Sequence, residues 1–342
     1  MINIRFATKN DKPKIISFLK EHWSQNSILV QSDMIFDFQY SNGESCYFVI
    51  AIDDEDDHIY GLKGYFPFNS RPNPDVAAAL AIVLQGVRPM LGMEIEQFLE
   101  KETHSRWVCS TGLNPNTSVR VYKLFKNNYT VDKLSHFYRL SDRKNFNIAV
   151  VNNKRIQPVS ETGYEFLLLN GIEHMQSVFD IEAFANQRPY KDLAYIDYRY
   201  FRHPVYKYKL LGIKAPQTND VRAVIIGREI KINDSKVFRI VDFLGEQNEI
   251  CHIGQALERM IQQEDYEYVD FYCYGIDHNS LKSGGFVLRD ENDQNIIPNY
   301  FEPFEQKNVE IHFFYTGHEK ATVCKADGDQ DRPNMIPEDL GK

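Results

Sequence analysis

Apolar and polar residues alternate over residues 3–7, the period of a strand with one buried face. Thr8 then opens a stretch, residues 11–22, in which Ile15, Ile16, Phe18 and Leu19 fall on one helical face. A weaker helical pattern covers 32–40. Residues 46–52 and 59–66 read as strands, and the acidic run between them, 53–57, reads as a solvated hairpin tip and not as a metal site. The stretch 76–87, VAAALAIVLQGV, is apolar without alternation, as a central strand buried on both faces should be. Arg88-Pro89-Met90-Leu91-Gly92 follows, then a predicted helix at 93–102, a strand at 107–111, a helix at 116–127 and an aromatic strand at 131–140. A further strand is expected at 146–151.

Polar residues 152–159 predict a linker. Beyond it the pattern gives helical pieces at 161–173 and 175–185, and aromatic strands within 195–211. Strands at 220–230 and 237–244, a helix at 253–263, and strands at 268–274 and 310–315 follow. Alternating strands and helices predict an α/β fold, with a mixed sheet and flanking helices in each half. The expected division is 1–151, 160–325 and an irregular, solvated tail, 326–342.

Composition sharpens this only in places. The 342 residues exceed what one core usually holds, which supports two domains. A net charge of -9 without a basic stripe argues against a nucleic-acid surface. The 20 Tyr and 23 Phe suit large buried sheet faces. Cys46, Cys109, Cys251, Cys273 and Cys324 form no CxxC pair and read as reduced thiols of a cytoplasmic protein. No segment reaches the roughly 20 apolar residues of a membrane span, and the first residues carry no apolar signal core. A monomer or homodimer acting on a small molecule is the expectation.

The chemistry concentrates in AIVLQGVRPMLGMEIEQFL. A strand that feeds a glycine-containing turn and then a helix gathers unpaired amides and the positive helix end at one place, which suits a phosphate. Arg88 adds charge there, and Gly92 permits close approach of the backbone. This segment resembles the acyl-CoA loop of the GNAT superfamily, in which a Gln or Arg precedes spaced small residues. In this chain Arg88 stands four residues before Gly92, and Glu94 occupies the second small position. The opening IRFATKNDKPKIISFL is similar to the first strand and helix of that superfamily. GLNPNTSVRVYKLFKNNYTV resembles its later Asn–helix–Tyr segment, with Asn128-Tyr129 where the family has Gly-Phe.

The resemblance implies acetyl-CoA as co-substrate, with no metal, held by the backbone at Val83, Gln85, Leu91, Gly92 and Met93, by Arg88, and by Asn114 or Asn116 at the pantetheine arm. Tyr122 would protonate the departing thiolate. Amides near residues 83–85 would hold the oxyanion. Glu94 and His252 are the candidate bases, with Asp75 and His136 behind them. Cys109 or Ser110 as a nucleophile is the weaker idea, because no His/Asp arrangement surrounds either.

In YRYFRHPVYKYKL, strand periodicity would put Arg199, His203, Lys207 and Lys209 on one face, with Arg202 beside them, a surface fit for a diphosphate and base. FRIVDFLGEQNEICHIGQALERM repeats the strand–loop–helix form without the glycine spacing. It implies a second, degenerate GNAT-like domain in which Asp242 and His252 face the acceptor. Asp327, Asp329, Asp331 and Arg332 read as a solvated loop without the spacing of a calcium site. The whole resembles acyltransferase-type proteins of bacterial surface-polysaccharide synthesis. The leading expectation is N-acetylation of an amino sugar, nucleotide-linked. An aminoacyl-type transferase on a tandem scaffold and a non-catalytic nucleotide-sugar-binding pair are the alternatives.

Overall fold

The computed structural model describes residues 1–53, 55–218 and 220–335. The first half supplies β1 (Ile2–Thr8), α1 (Lys12–His22), α2 (Asp33–Tyr40), β2 (Ser45–Asp53), β3 (His58–Pro67) and β4 (Asp75–Val83). It continues with α3 (Leu91–Glu102), β5 (Trp107–Thr111), α4 (Ser118–Leu124), β6 (Tyr129–Lys133) and β7 (Ser135–Leu140). Next come β8 (Glu165–Leu169), α5 (Ile172–Val178), β9 (Tyr208–Lys214), β10 (Val221–Ile232) and β11 (Ser235–Gly245). α6 (Gly254–Glu264), β12 (Tyr268–Tyr274) and β13 (His312–Thr316) complete the set.

These build two mixed sheets. The first runs β1-β2-β3-β4-β5-β13-β6, and the second runs β7-β12-β11-β10-β9-β8. Phe48 and Ile50 of β2 with Leu62 of β3 lie under α1 and α2, while Val49 and Ala51 lie under α3 and α4. A sheet covered on both faces has no use for polar alternation, which is why its strands read as apolar runs. α1 starts where Asp11 accepts the Thr8 amide at 2.8 Å, and Pro13 fills the first turn. Arg5 grips the Asp11 carboxylate at 2.8 and 2.9 Å and holds its acidity well below the ordinary range. The acidic hairpin tip joins β2 to β3 as expected; Asp54 lies outside the described residues.

Several expected elements differ. The strand expected over 131–140 is broken at Leu134, whose amide turns to Ile311 O at 2.9 Å. β6 therefore stays in the first sheet while β7 pairs with β12 in the second. In exchange, β13 from the far end of the chain inserts between β5 and β6. Within 161–173, expected helical, the run Glu165–Leu169 forms β8 instead, since a short apolar run fits either period. Residues 146–151 form only the bridge Val150↔Ile296. The aromatic strand expected from 195 begins only at Tyr208. Asp192 accepts the Tyr195 amide at 2.8 Å and starts a helical turn, Leu193–Ile196, that runs on into a π-turn, Asp197–Phe201. Arg199, Arg202 and His203 thus share no strand face.

The described part of the tail, residues 326–335, has no regular helix or strand and is partly buried. Lys325, Asp327 and Asp331 are each at most 3% exposed. Among the described residues no helix is long and apolar enough to cross a membrane.

Candidate functional site

β4 and β5 run parallel but pair for three residues only, Asp75↔Trp107, Val76↔Val108 and Ala77↔Cys109. Past Ala77, no strand among the described residues pairs with β4 on that side, while its other edge follows β3 as far as Val83↔Gly61. The two strands form a wedge. Its closed end is fixed by buried Asp75, which accepts Arg106 Nε at 2.9 Å, Arg106 Nη2 at 2.8 Å and the Tyr190 amide at 2.6 Å. Those bonds commit Asp75 to the fold, which removes it from the candidate bases.

Along the open arm, the register with β3 passes from Lys63↔Ala81 to Gly64↔Ala79 and leaves Leu80 unpaired, with φ of 27°. That backbone is costly for a leucine, and burial of its side chain with Phe48 and Leu62 opposes the cost. Gln85, expected beside the oxyanion, is exposed beyond the strand end; the irregular backbone lies at Leu80, and Val83 is half-buried.

After Val83 the chain turns through Gly86 (φ 78°) and Met90 (φ 65°) into α3. No side chain caps the start of α3, so first-turn amides and the positive end of the helix stand at the open end of the wedge. Leu91 and Met93 turn their side chains into the core, and the Met93 amide donates to Met90 O at 2.8 Å, so the first-turn amides left for a ligand are those of Leu91 and Gly92. A Cβ at Gly92 would meet only Val83 Cγ2, at 3.5 Å, an ordinary contact. The packing of the protein therefore makes no demand for glycine there. Arg88 and Glu94, both about two-fifths exposed, pair with each other. Asn114 and Asn116 are exposed in the loop after β5, where Asn114 Oδ1 accepts the Asn116 amide at 2.9 Å and shapes the turn.

Tyr122 is buried under α4. Its hydroxyl donates to Glu96 at 2.5 Å and accepts from Lys63 at 3.0 Å, while its ring stacks on Phe314 at 4.0 Å. Lys63 also contacts Glu96, itself fully buried. Lys63 belongs to β3, yet its ammonium lies 5.3 Å from the Phe314 ring of β13. β4 and β5 lie between those two strands in the sheet order, so the side chain reaches across the sheet face that carries Tyr122 and Phe314. Sequence reading missed Lys63 and Glu96; a charged residue in each of two otherwise apolar segments was the available signal. Burial drives the Lys63 ammonium down to about 7 and the Tyr122 hydroxyl well up.

The other candidates lie elsewhere. His252 precedes α6 in the second half and stacks on Tyr164 at 4.6 Å. His136 is buried against Asp270 at 3.0 Å and, lowered by burial to about 4, is neutral. Cys109 is buried, its thiol pushed well up by desolvation, and it donates to Asp327 O at 3.3 Å; Ser110 beside it is buried too. Asp242, expected to face the acceptor, is sealed inside: Lys191 reaches it at 2.5 Å and Tyr200 donates to it at 2.5 Å. Asp327, Asp242 and Cys324 bring one ligand atom each within 4.8 Å of one another. The Lys191 ammonium, 2.6 Å from Asp327, takes the place between the carboxylates that a cation would need. Among the described residues the other tail acids are paired as well, Asp331 with Arg228 at 3.0 Å and Asp329 with Arg332 at 3.6 Å. These contacts correct the solvated-loop expectation.

Parallel strands β11 and β12 form a second wedge, again with three pairs. Here the chain fills it. Val323–Cys324 pairs with β12, and the Ala326 amide donates to Val241 of β11 at 3.0 Å.

Between the halves lies a cavity of about 510 Å³, walled by Phe38, Phe66, Tyr195 and Tyr198 and bordered by Arg199 and His203. His203 Nδ1 accepts the amides of Val205 and Tyr206 at 3.1 and 2.9 Å, and burial with the nearby Arg199 charge lowers it to about 3. Arg202 is largely exposed and pairs with Asp197 at 2.8 Å, and no part of it lines the cavity.

Among solved structures, the chain is similar to a GCN5-related N-acetyltransferase from Anabaena variabilis, with 12% identity and a TM-score of 0.51, over 92% of this chain and 72% of that one. A conserved protein from Enterococcus faecalis, described as a "Probable N-Acyltransferase", matches with 10% identity and a TM-score of 0.50, over 91% and 72%. No protein-family model and no curated protein sequence matches. The likeness establishes the fold, mixed α/β sheets with flanking helices, as that of the GCN5-related N-acetyltransferases.

Proposed function

We propose that this chain is an acyl-CoA-dependent N-acyltransferase that uses acetyl-CoA and acetylates the amine of an amino sugar, nucleotide-linked, in bacterial glycan synthesis. One observation carries the reading. The β4–β5 wedge, the Leu80 bulge and the uncapped start of α3 occur together on one parallel strand pair. An anion is drawn to uncapped amides and a positive helix end. Arg88, released from Glu94, adds a charge-assisted bond to a diphosphate. A pantetheine arm directed into the wedge would bring its thioester toward the bulge, where Leu80 has left the regular ladder and can offer its amide to a developing oxyanion. The amine attacks the thioester carbon, the C–S bond breaks, the nitrogen releases one proton to water, and the thiolate takes a proton. Tyr122, hydrogen-bonded to Lys63 and Glu96, is the donor in this scheme. Because the second wedge is filled by residues 323–326, a single CoA per chain is expected.

Release of free thiol from acetyl-CoA in the presence of UDP-, dTDP- and GDP-linked amino sugars tests the reaction and names the acceptor. Tyr122→Phe should lower kcat about tenfold or more with KM for acetyl-CoA little changed. Equal turnover makes Tyr122 a packing residue only. The Arg88–Glu94 pair and the sealed Tyr122 hydroxyl favour a second reading, binding without transfer. Acetyl-CoA binding with no thiol release for any amine would select it.

A further inference from the structure

Two buried donors without a hydrogen-bond partner border the cavity between the halves, Tyr195 OH and Arg332 Nη1. A buried donor left unpaired is costly, and such groups are rare in folded chains. Two at the border of one cavity call for an acceptor group that the chain does not supply. Among the described residues the only ion pair of Arg332 is the long one to Asp329, at 3.6 Å through Nη2, and Nη1 makes no hydrogen bond.

The charge behind the wall is matched by charge on it. Buried Asp331 is shared by two guanidinium groups. Arg228 donates to it at 3.0 Å, and Arg199 lies 4.0 Å from it while also donating to its backbone carbonyl at 2.6 Å. Two cations against one carboxylate leave one positive charge behind the wall, which the Asp192 carboxylate on the wall faces with one negative charge, so the orphaned donors and not a net charge mark the site. The wall carboxylate, Asp192, is already satisfied by the Ser70 amide and hydroxyl at 2.7 and 2.9 Å and by the Tyr195 amide. His203, lowered by its surroundings, adds no charge.

The rest of the cavity is aromatic. Phe38 stacks on Tyr198 at 4.5 Å, and Phe66 lies parallel to Tyr195 at 6.4 Å. Phe66 is the β3 partner of Ala77, the last residue of β4 paired with β5. The cavity therefore reaches the point where the wedge opens. We infer that it is the acceptor site and that it selects a ring-bearing acceptor with an anionic group, phosphate or carboxylate, held by Arg332 and Tyr195. As an acceptor site it rests on the transferase reading; as an anion site it stands alone.

Calorimetric titration of the full chain with phenyl phosphate, benzoate and benzyl alcohol tests it, with acetyl-CoA titrated into the same preparations. At least one anionic probe should bind about tenfold or more tightly than the alcohol, a difference of about 1.4 kcal/mol, and the better of the two names the anion. Arg332→Gln should erase that difference, and Tyr195→Phe should reduce it, with acetyl-CoA affinity unchanged in both. Equal binding of the alcohol, an unchanged anion preference in Arg332→Gln, or no binding of any probe overturns the anion site. Anion binding without acetyl-CoA binding would instead overturn the transferase reading and leave this site standing.

Discussion

At the scale of single residues, the proposed CoA loop turns on Arg88 and Glu94. The pair is two-fifths exposed, so its own worth is at most about 1 kcal/mol. A diphosphate must take Arg88 away from it. Glu94→Gln should therefore tighten acetyl-CoA binding by up to about fivefold with turnover retained. A calorimetric titration and a thiol-release assay on that variant check both halves; loss of turnover would restore Glu94 as a base. The strand–turn–helix that carries Arg88, Gly92 and Glu94 was legible because a loop after an apolar strand stands out in a sequence. The Lys63–Glu96–Tyr122 trio was not legible. Its members lie 26 to 59 positions apart along the chain and meet only through the wedge geometry. Asp242 misled for the converse reason: an acid at a strand end looks exposed until a distant lysine, Lys191, is seen to cover it.

Single elements were read well where one period dominated. The strand at 107–111 and the strand at 268–274 agree with β5 and β12 residue for residue. Periodicity failed where aromatic residues, good in strands, were recruited to a helical turn by the Asp192 cap, and where the strand expected at 131–140 changed sheets at Leu134. It could not see the tail strand, because two residues, Val323–Cys324, carry no period. Yet that strand closes the second wedge, and its anchor is sensitive to pH. Burial raises the Asp327 carboxyl from 3.8 to about 6, against the pull of Lys191. Between those values the folded chain keeps a proton that the unfolded chain has released. Stability therefore falls as pH rises from about 4 to 6 and levels off above. Asp327→Asn should remove that component. Urea midpoints measured across the window for both proteins show it as a smaller loss of stability with rising pH in the variant; identical slopes would take Asp327 out of the titration.

The two sheets exchange strands at the scale of the whole molecule. β7 leaves the first half for the second sheet, and β13 returns from the second half to lie between β5 and β6. The tail then runs from the second wedge to β5, where a Cβ on Gly328 would meet Thr111 Oγ1 at 2.3 Å. Sequence reading found two α/β halves in order. It could not find the exchange, since a strand's own pattern does not say which sheet receives it. A fragment of residues 1–151 lacks β13 and leaves two apolar strand edges open, so it should show no cooperative thermal transition, while the full chain unfolds as one unit. A sharp, separate melt of that fragment would show that the halves fold independently.

The central claim is that the start of α3 receives a diphosphate beside the β4–β5 wedge. Calorimetry of acetyl-CoA against the full chain and against Arg88→Glu tests it most directly. The predicted result is one site per chain in the unaltered protein and binding at least about tenfold weaker in the variant. Absence of binding in the unaltered protein, or equal affinity in the two, would contradict it.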